Sequence, residues 1–183
     1  MKKHVLVVGG TGMLKKVSIW LAQQGYAVSV MGRNQERLQA VVEAADGEGD
    51  IHPVAIDYRQ TDLFNTMLET IQVQRGAIHL VVSWIHSDAP EAFDTLIKGV
   101  NGSETNVWRL FRVRGSAAYL SKPLVAIPNH CLYREILLGF IVEESGASRW
   151  LTHDEIAGGV IEAIQTDRGK SIVGQLAPWD QHP

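Results

Sequence analysis

The sequence predicts an α/β domain, a doubly wound parallel sheet with helices on both faces. Three observations predict it. Val5-Leu6-Val7-Val8 is an apolar, mostly β-branched run, the composition of a strand buried on both faces. Gly9-Gly10-Thr11-Gly12-Met13-Leu14 follows directly and opens a helix-forming segment. From Val5 to Lys98 strand-like and helix-like segments alternate with short links, which implies parallel strands joined by right-handed crossovers.

A strand, a glycine turn and a helix in succession point to the phosphate-binding crevice of a Rossmann-type dinucleotide-binding domain. The glycines allow a tight turn and the close approach of backbone to a bulky anion. The helix that follows aims its free N–H groups and positive dipole end at the turn.

Each element has its own signal. Val17, Trp20 and Leu21 continue the helical spacing of Met13 and Leu14, and Gly25 is placed to end that helix. Tyr26 to Met31 reads as the second strand. Asn34 caps a helix that shares Leu38, Val41, Val42 and Ala45 on one face. Ile51 to Ile56 is the third strand, ending at Asp57-Tyr58, and Leu63, Phe64, Met67, Leu68 and Ile71 line the next helix. Ala77 to Trp84 is the fourth strand, followed by a helix from Ala89 to Lys98 with Ser87 or Asp88 as its cap. Asn106 to Val113 reads as the fifth strand. Leu124 to Ile127 and Tyr133 to Val142 compete for the sixth. Thr152-His153-Asp154-Glu155 is a capping box that opens a helix buried through Ile156, Val160, Ile161 and Ile164, and Ser171 to Leu176 closes the sheet.

Composition bounds the function. The 183 residues suit one domain, 1–183, with 45% hydrophobic and 20% charged residues and a net charge of −3. Nothing general in that balance points to nucleic acid or to a membrane surface. The Arg109, Arg112 and Arg114 cluster reads as a solvated strand edge. A single cysteine, Cys131, excludes an internal disulfide and any cysteine-based metal framework, and the seven histidines include no close pair at ligand spacing. With a strand at the start and no long apolar span, the expectation is a cytoplasmic protein with no metal. Five tryptophans raise the further expectation of apolar surface covered by a second copy, a homo-oligomer.

Four stretches resemble the short-chain dehydrogenase/reductase superfamily. Gly9-Gly10-Thr11-Gly12-Met13-Leu14 resembles its glycine turn, in the spacing of extended and atypical members. Arg33 stands where the family often places a basic residue after the second strand. Asp57 resembles the acidic residue that ends the third strand near the adenine. Arg149 to Ala157, with Ile172-Val173-Gly174-Gln175, looks like the closing helix and last strand. The resemblance implies a nicotinamide cofactor held by Gly9, Thr11, Gly12, Met13, Leu14, Arg33, Asn34, Asp57, Tyr58, Ser83 and Trp84.

The chain also departs from the family. The third glycine of the pattern is Lys15, whose side chain must point outward, to the pyrophosphate or to solvent. Where active members carry Asn-Ala-Gly, this chain has Ser83-Trp84-Ile85-His86; Trp84 either stacks on a cofactor ring or belongs to the core. Active members use a Tyr-x-x-x-Lys pair whose spacing sets both side chains on one helix face, where the ammonium lowers the tyrosine pKa. Four residues after Tyr26, Tyr58, Tyr119 and Tyr133 stand Val30, Asp62, Pro123 and Leu137, so no such pair exists. Ser116 resembles the catalytic serine, yet Pro123 follows too closely for a catalytic helix of ordinary length. Ser116, His86 and Tyr133 are the remaining catalytic candidates.

Between Tyr26 and Gln35 there is no carboxylate to hold a ribose 2′-hydroxyl, and Arg33 occupies that turn, so the expected cofactor is NADP rather than NAD. Three readings follow: an NADP-dependent oxidoreductase acting on a small molecule, a non-catalytic NADP(H)-responsive regulator or scaffold, and a remnant in which Lys15 and Trp84 close the crevice.

Overall fold

The structure, a computed structural model, describes residues 1–119 and 126–183. Seven strands form one parallel sheet: β1 (His4–Val8), β2 (Ala27–Gly32), β3 (Asp50–Ala55), β4 (Ile78–Trp84), β5 (Trp108–Gly115), β6 (Cys131–Leu138) and β9 (Lys170–Val173). Among the described residues five α-helices flank it: α1 (Lys15–Gln23), α2 (Gln35–Ala44), α3 (Thr61–Arg75), α4 (Pro90–Gly99) and α5 (His153–Thr166). The strand order is β3-β2-β1-β4-β5-β6-β9, with every neighbouring pair parallel. The chain therefore winds outward in both directions from β1, and the end of β1 faces the crevice where the winding reverses.

All five residues of β1 are buried, because both faces of the sheet are covered. On one face Val5, Val7, Val28, Val30, Val82 and Phe111 pack against Leu14, Val17 and Leu21 near α1 and against Ile156 and Val160 of α5. On the other, Leu6, Val8, Val81, Trp108 and Leu110 meet Phe64, Leu68 and Ile71 of α3 and Phe93 and Leu96 of α4. No helix of the described residues is long and apolar enough to cross a membrane.

Several boundaries differ from the sequence reading. Met13 and Leu14 lie in the turn rather than in α1, because the Lys15 N–H returns to the Gly12 carbonyl at 3.1 Å and delays the helix. Neither Ser87 nor Asp88 caps α4; Ala89 precedes it, Pro90 takes the first turn, and Asp88 pairs with Arg59 at 2.8 Å instead. The sixth sheet strand is β6, which stops at Leu138. A Cβ at Gly139 would lie 2.1 Å from the Gln175 carbonyl oxygen, so the chain passes that point as glycine and leaves the sheet. Phe140–Val142 is then a separate strand, β7, paired antiparallel with β8 (Ser148–Trp150). In the competing stretch, residues 124 and 125 lie outside the described residues, as does Pro123; Ala126 and Ile127 have no regular structure.

The arginines of β5 are not a solvated edge. β5 is an interior strand, and each guanidinium has its own partner: Arg109 meets Asp167 at 3.4 Å, Arg114 meets Glu135 at 3.1 Å, and Arg112 lies 3.7 Å from the centroid of the Phe93 ring.

Candidate functional site

The glycine turn is built by close approach. Gly9 has φ +79°, donates its N–H to the Met31 carbonyl at 3.1 Å, and leaves no room for a side chain: a Cβ there would stand 2.6 Å from the Trp84 carbonyl oxygen. Gly10 is as confined, since a Cβ would meet Val7, Val30 and the Ser18 hydroxyl of α1. Gly12 faces open space. The tight contact with α1 thus falls on Gly10, and Lys15 is tolerated at the third glycine position. Among the described residues no side chain caps the start of α1, and its first turn holds no acid, so its N–H groups and positive dipole end remain available to an anion. Lys16 is paired with Asp154 at 2.6 Å.

Beyond the turn lies a cleft of about 500 Å³, lined by Gly9, Thr11, Arg33, Asn34, Arg37 and Tyr58 together with Met31, Gly32, Ile56 and Trp84. Gly32 admits Thr11 against the end of β2, since a Cβ on it would lie 2.9 Å from Thr11 Cγ2. Asn34 caps α2 by accepting the Arg37 N–H at 3.0 Å, which fixes the turn carrying Arg33 and starts the helix carrying Arg37. Among the described residues, two guanidiniums and no carboxylate line the cleft. Tyr58 spans it: the hydroxyl accepts the His86 N–H at 3.2 Å, so the ends of β3 and β4 are tied together, and the Arg59–Asp88 pair ties them again.

The other expected site residues distribute unevenly. Met13 and Leu14 face the core, and Leu14 is fully buried. Asp57 folds its carboxylate onto the Arg59 N–H at 3.0 Å and lies in a groove outside the cleft, with Arg33 and Gln60. Ser83 is fully buried on β4 beside Val8 and Arg112, and its Oγ has no hydrogen-bond partner among the described residues. The Trp84 indole reaches the end of β5, where a Cβ on Gly115 would be 3.8 Å from Cη2, and its ring meets that of His86 at 5.7 Å. Ser116, next in the chain, has its Oγ 2.8 Å from His182 Nε2.

Tyr133 is elsewhere. It pairs with Leu110 in the lower half of β6, where burial pushes its phenol pKa up and the neighbouring Arg112 only partly opposes this. Sequence reasoning missed Gly32, Arg37 and His182. Arg37 had a signal, three residues beyond the cap in the first turn of α2; His182 had none, because it meets Ser116 across 66 residues of chain.

Residues 3–84, which span β1 to β4, match the short chain dehydrogenase family. Over 95% of its length the chain superposes on a short-chain type dehydrogenase/reductase from Mycobacterium marinum, with TM-score 0.66, 19% identity and 94% of that chain covered. The whole chain thus shares the fold of short-chain dehydrogenases/reductases, and residues 3–84 carry the match to that family. The fold is also similar to that in the crystal structure of a phenylalanine-to-tryptophan variant of actinorhodin polyketide ketoreductase with NADPH, with TM-score 0.73 and 13% identity over 97% of this chain and 98% of that one. Two curated relatives are similar in sequence. The uncharacterized oxidoreductase YvrD of Bacillus subtilis (strain 168) is 34% identical over 83 residues, 45% of this chain and 31% of that protein. An uncharacterized oxidoreductase of Myxococcus xanthus (strain DK1622) is 30% identical over 83 residues, 44% of this chain and 33% of its own length. The chain thus matches only about a third of the length of each of these relatives.

Proposed function

We propose that this chain is a member of the short-chain dehydrogenase/reductase superfamily that binds NADP(H) and works as an oxidoreductase on a small-molecule substrate. The carrying observation is the placement of Arg33 just beyond β2 and of Arg37 in the first turn of α2, in a cleft with no carboxylate among its described lining residues. A guanidinium donates parallel charge-assisted hydrogen bonds to a phosphate and stacks on a flat base, whereas a carboxylate would repel the 2′-phosphate. The confined Gly9 and the uncapped start of α1 suit a pyrophosphate, so the donor set fits the whole dinucleotide. The bound nicotinamide would supply hydride transfer; the protein supplies binding, orientation and protons.

The alternative is a non-catalytic NADP(H)-responsive protein, favoured by the absence of a Tyr-x-x-x-Lys pair from the sequence. Both require the cofactor. Calorimetric titration of the native protein tests this: NADPH is expected to bind at least tenfold more tightly than NADH, and equal or tighter binding of NADH overturns the assignment.

A further inference from the structure

Ser116 is the first residue beyond β5 and is 7% exposed, and its hydroxyl is held by a residue from the far end of the described chain. His182 Nε2 lies 2.8 Å from Ser116 Oγ. Three rings hold the imidazole in place: Trp150 at 4.5 Å between centroids, Trp179 at 4.6 Å and Phe140 at 5.5 Å. Trp150 and Trp179 remain 51% and 42% exposed, so this aromatic patch is open to a ligand on its outer side.

The sheet order gives the pair its position. Arg33 follows β2, Gly9 follows β1, Trp84 ends β4 and Ser116 follows β5, in the spatial order β2-β1-β4-β5. A dinucleotide with its 2′-phosphate at Arg33 and its pyrophosphate at the glycine turn carries its other half along this edge, toward Trp84 and Ser116. The inference rests on the cofactor reading above. We propose that Ser116 and His182 form the proton-delivery pair of this enzyme, serving a planar conjugated carbonyl substrate laid against Trp150 and Trp179.

A protonated His182 donates from Nε2 to Ser116 Oγ, which leaves the serine hydrogen free for a substrate oxygen. In the reducing direction the carbonyl carbon gains a hydride from reduced nicotinamide and the C=O π pair moves to oxygen. That oxygen takes the Ser116 proton, Ser116 takes the Nε2 proton, and the neutral imidazole is recharged from solvent. Carbonyl, reduced cofactor and one proton become alcohol and oxidised cofactor. Ser116 touches the substrate, and His182 acts through it.

The test uses the native protein, His182→Gln and Ser116→Ala, with near-UV circular dichroism as the fold check. Without cofactor, ¹⁵N NMR of the His182 ring is expected to show a hydrogen-bonded Nε2 whose signal shifts in Ser116→Ala; an unchanged signal overturns the pairing. With NADPH and 9,10-phenanthrenequinone as probe, each variant is expected to lose roughly 10²–10⁴-fold in kcat, the range for general acid–base help. The NADPH dissociation constant is expected to stay within about twofold, and added imidazole to restore turnover to His182→Gln but not to Ser116→Ala. That rescue is something a purely structural histidine would not give. Native-like turnover by either variant overturns the proposal. NADPH binding without turnover of the quinone overturns the proton pair alone, whereas failure of NADPH to bind the native protein overturns this and the cofactor reading together.

Discussion

The carbonyl oxygen of Trp84 occupies the space that a side chain on Gly9 would need, 2.6 Å from the position of a Cβ. Gly9 also sits at φ +79°, a region that costs an L-residue about 1–2 kcal/mol. The end of β4 is therefore packed directly onto the glycine turn. Gly9→Ala is expected to lower the melting temperature by about 4–8 °C, from roughly 2 kcal/mol of strain and displacement in a chain of this size. It is also expected to weaken NADPH binding, because the turn and Trp84 shift together. Differential scanning calorimetry checks the first effect and isothermal titration the second. An unchanged melting point would mean that the turn adapts freely.

His4 makes folding sensitive to acid. It is 1% exposed, with Nδ1 2.8 Å from the Gly76 carbonyl and Nε2 2.7 Å from the Ser29 hydroxyl. A carbonyl only accepts, so Nδ1 carries the hydrogen and the serine donates to Nε2, an arrangement that needs the neutral ring. Burial pushes the His4 pKa below 6.5, and Arg75, His52 and His79 push it the same way, while the Gly76 carbonyl opposes them. The folded state thus binds fewer protons than the unfolded chain. The contribution is present in full above about pH 6.5 and is lost as pH falls below it. Urea midpoints are expected to drop between pH 7.5 and 5. His4→Gln should reduce that slope without abolishing it, since burial and Arg75 also lower the His52 pKa, with Asp50 opposing.

The start of α5 carries the opposite kind of group. Thr152 Oγ1 accepts the Glu155 N–H at 3.2 Å, and Glu155 accepts the Thr152 N–H at 3.0 Å and Arg149 Nη1 at 2.7 Å. The Arg149 hydrogen bond, followed by that backbone N–H, holds the Glu155 carboxyl down to about 2. Its contribution is present above about pH 4.5 and is lost as pH falls toward 2. Carboxyl ¹³C NMR is expected to find Glu155 still ionised at about pH 3.5, below the ordinary glutamate range, and Arg149→Ala to raise its midpoint. Thr152→Ala is expected to cost about 1 kcal/mol in urea unfolding, the usual loss of an N-cap.

What was legible in the sequence follows physical range. Val5 to Val8, Asn34 and the Thr152–Glu155 box are local: each declares a strand or a helix start through neighbours within four residues, and each stands as read. The positions of Arg33 after β2 and of the glycine turn between β1 and α1 were legible for the same reason. Arg109, Arg112 and Arg114 misled because alternating arginines on a strand look like a wet edge. Their partners Asp167, Phe93 and Glu135 come from α5's end, α4 and β6, and no local pattern announces them. Gly139 and Gly174 divide the β6–β7 region by close backbone contacts with Gln175 and Phe140, invisible to residue type alone. The Ser116–His182 contact is the extreme case, a hydrogen bond assembled across 66 residues.

The central claim is that a phosphorylated ribose is recognised at the end of β2, and Arg33→Ala measured by calorimetry against NADPH and NADH tests it most directly. One charge-assisted contact is worth about 1.5–3 kcal/mol, or roughly ten- to a hundredfold in affinity. Arg33→Ala is therefore expected to weaken NADPH binding at least tenfold and leave NADH nearly unchanged, with Arg37→Ala giving a loss of the same sign. Equal losses for both cofactors on removal of Arg33, or native binding that favours NADH, would contradict it.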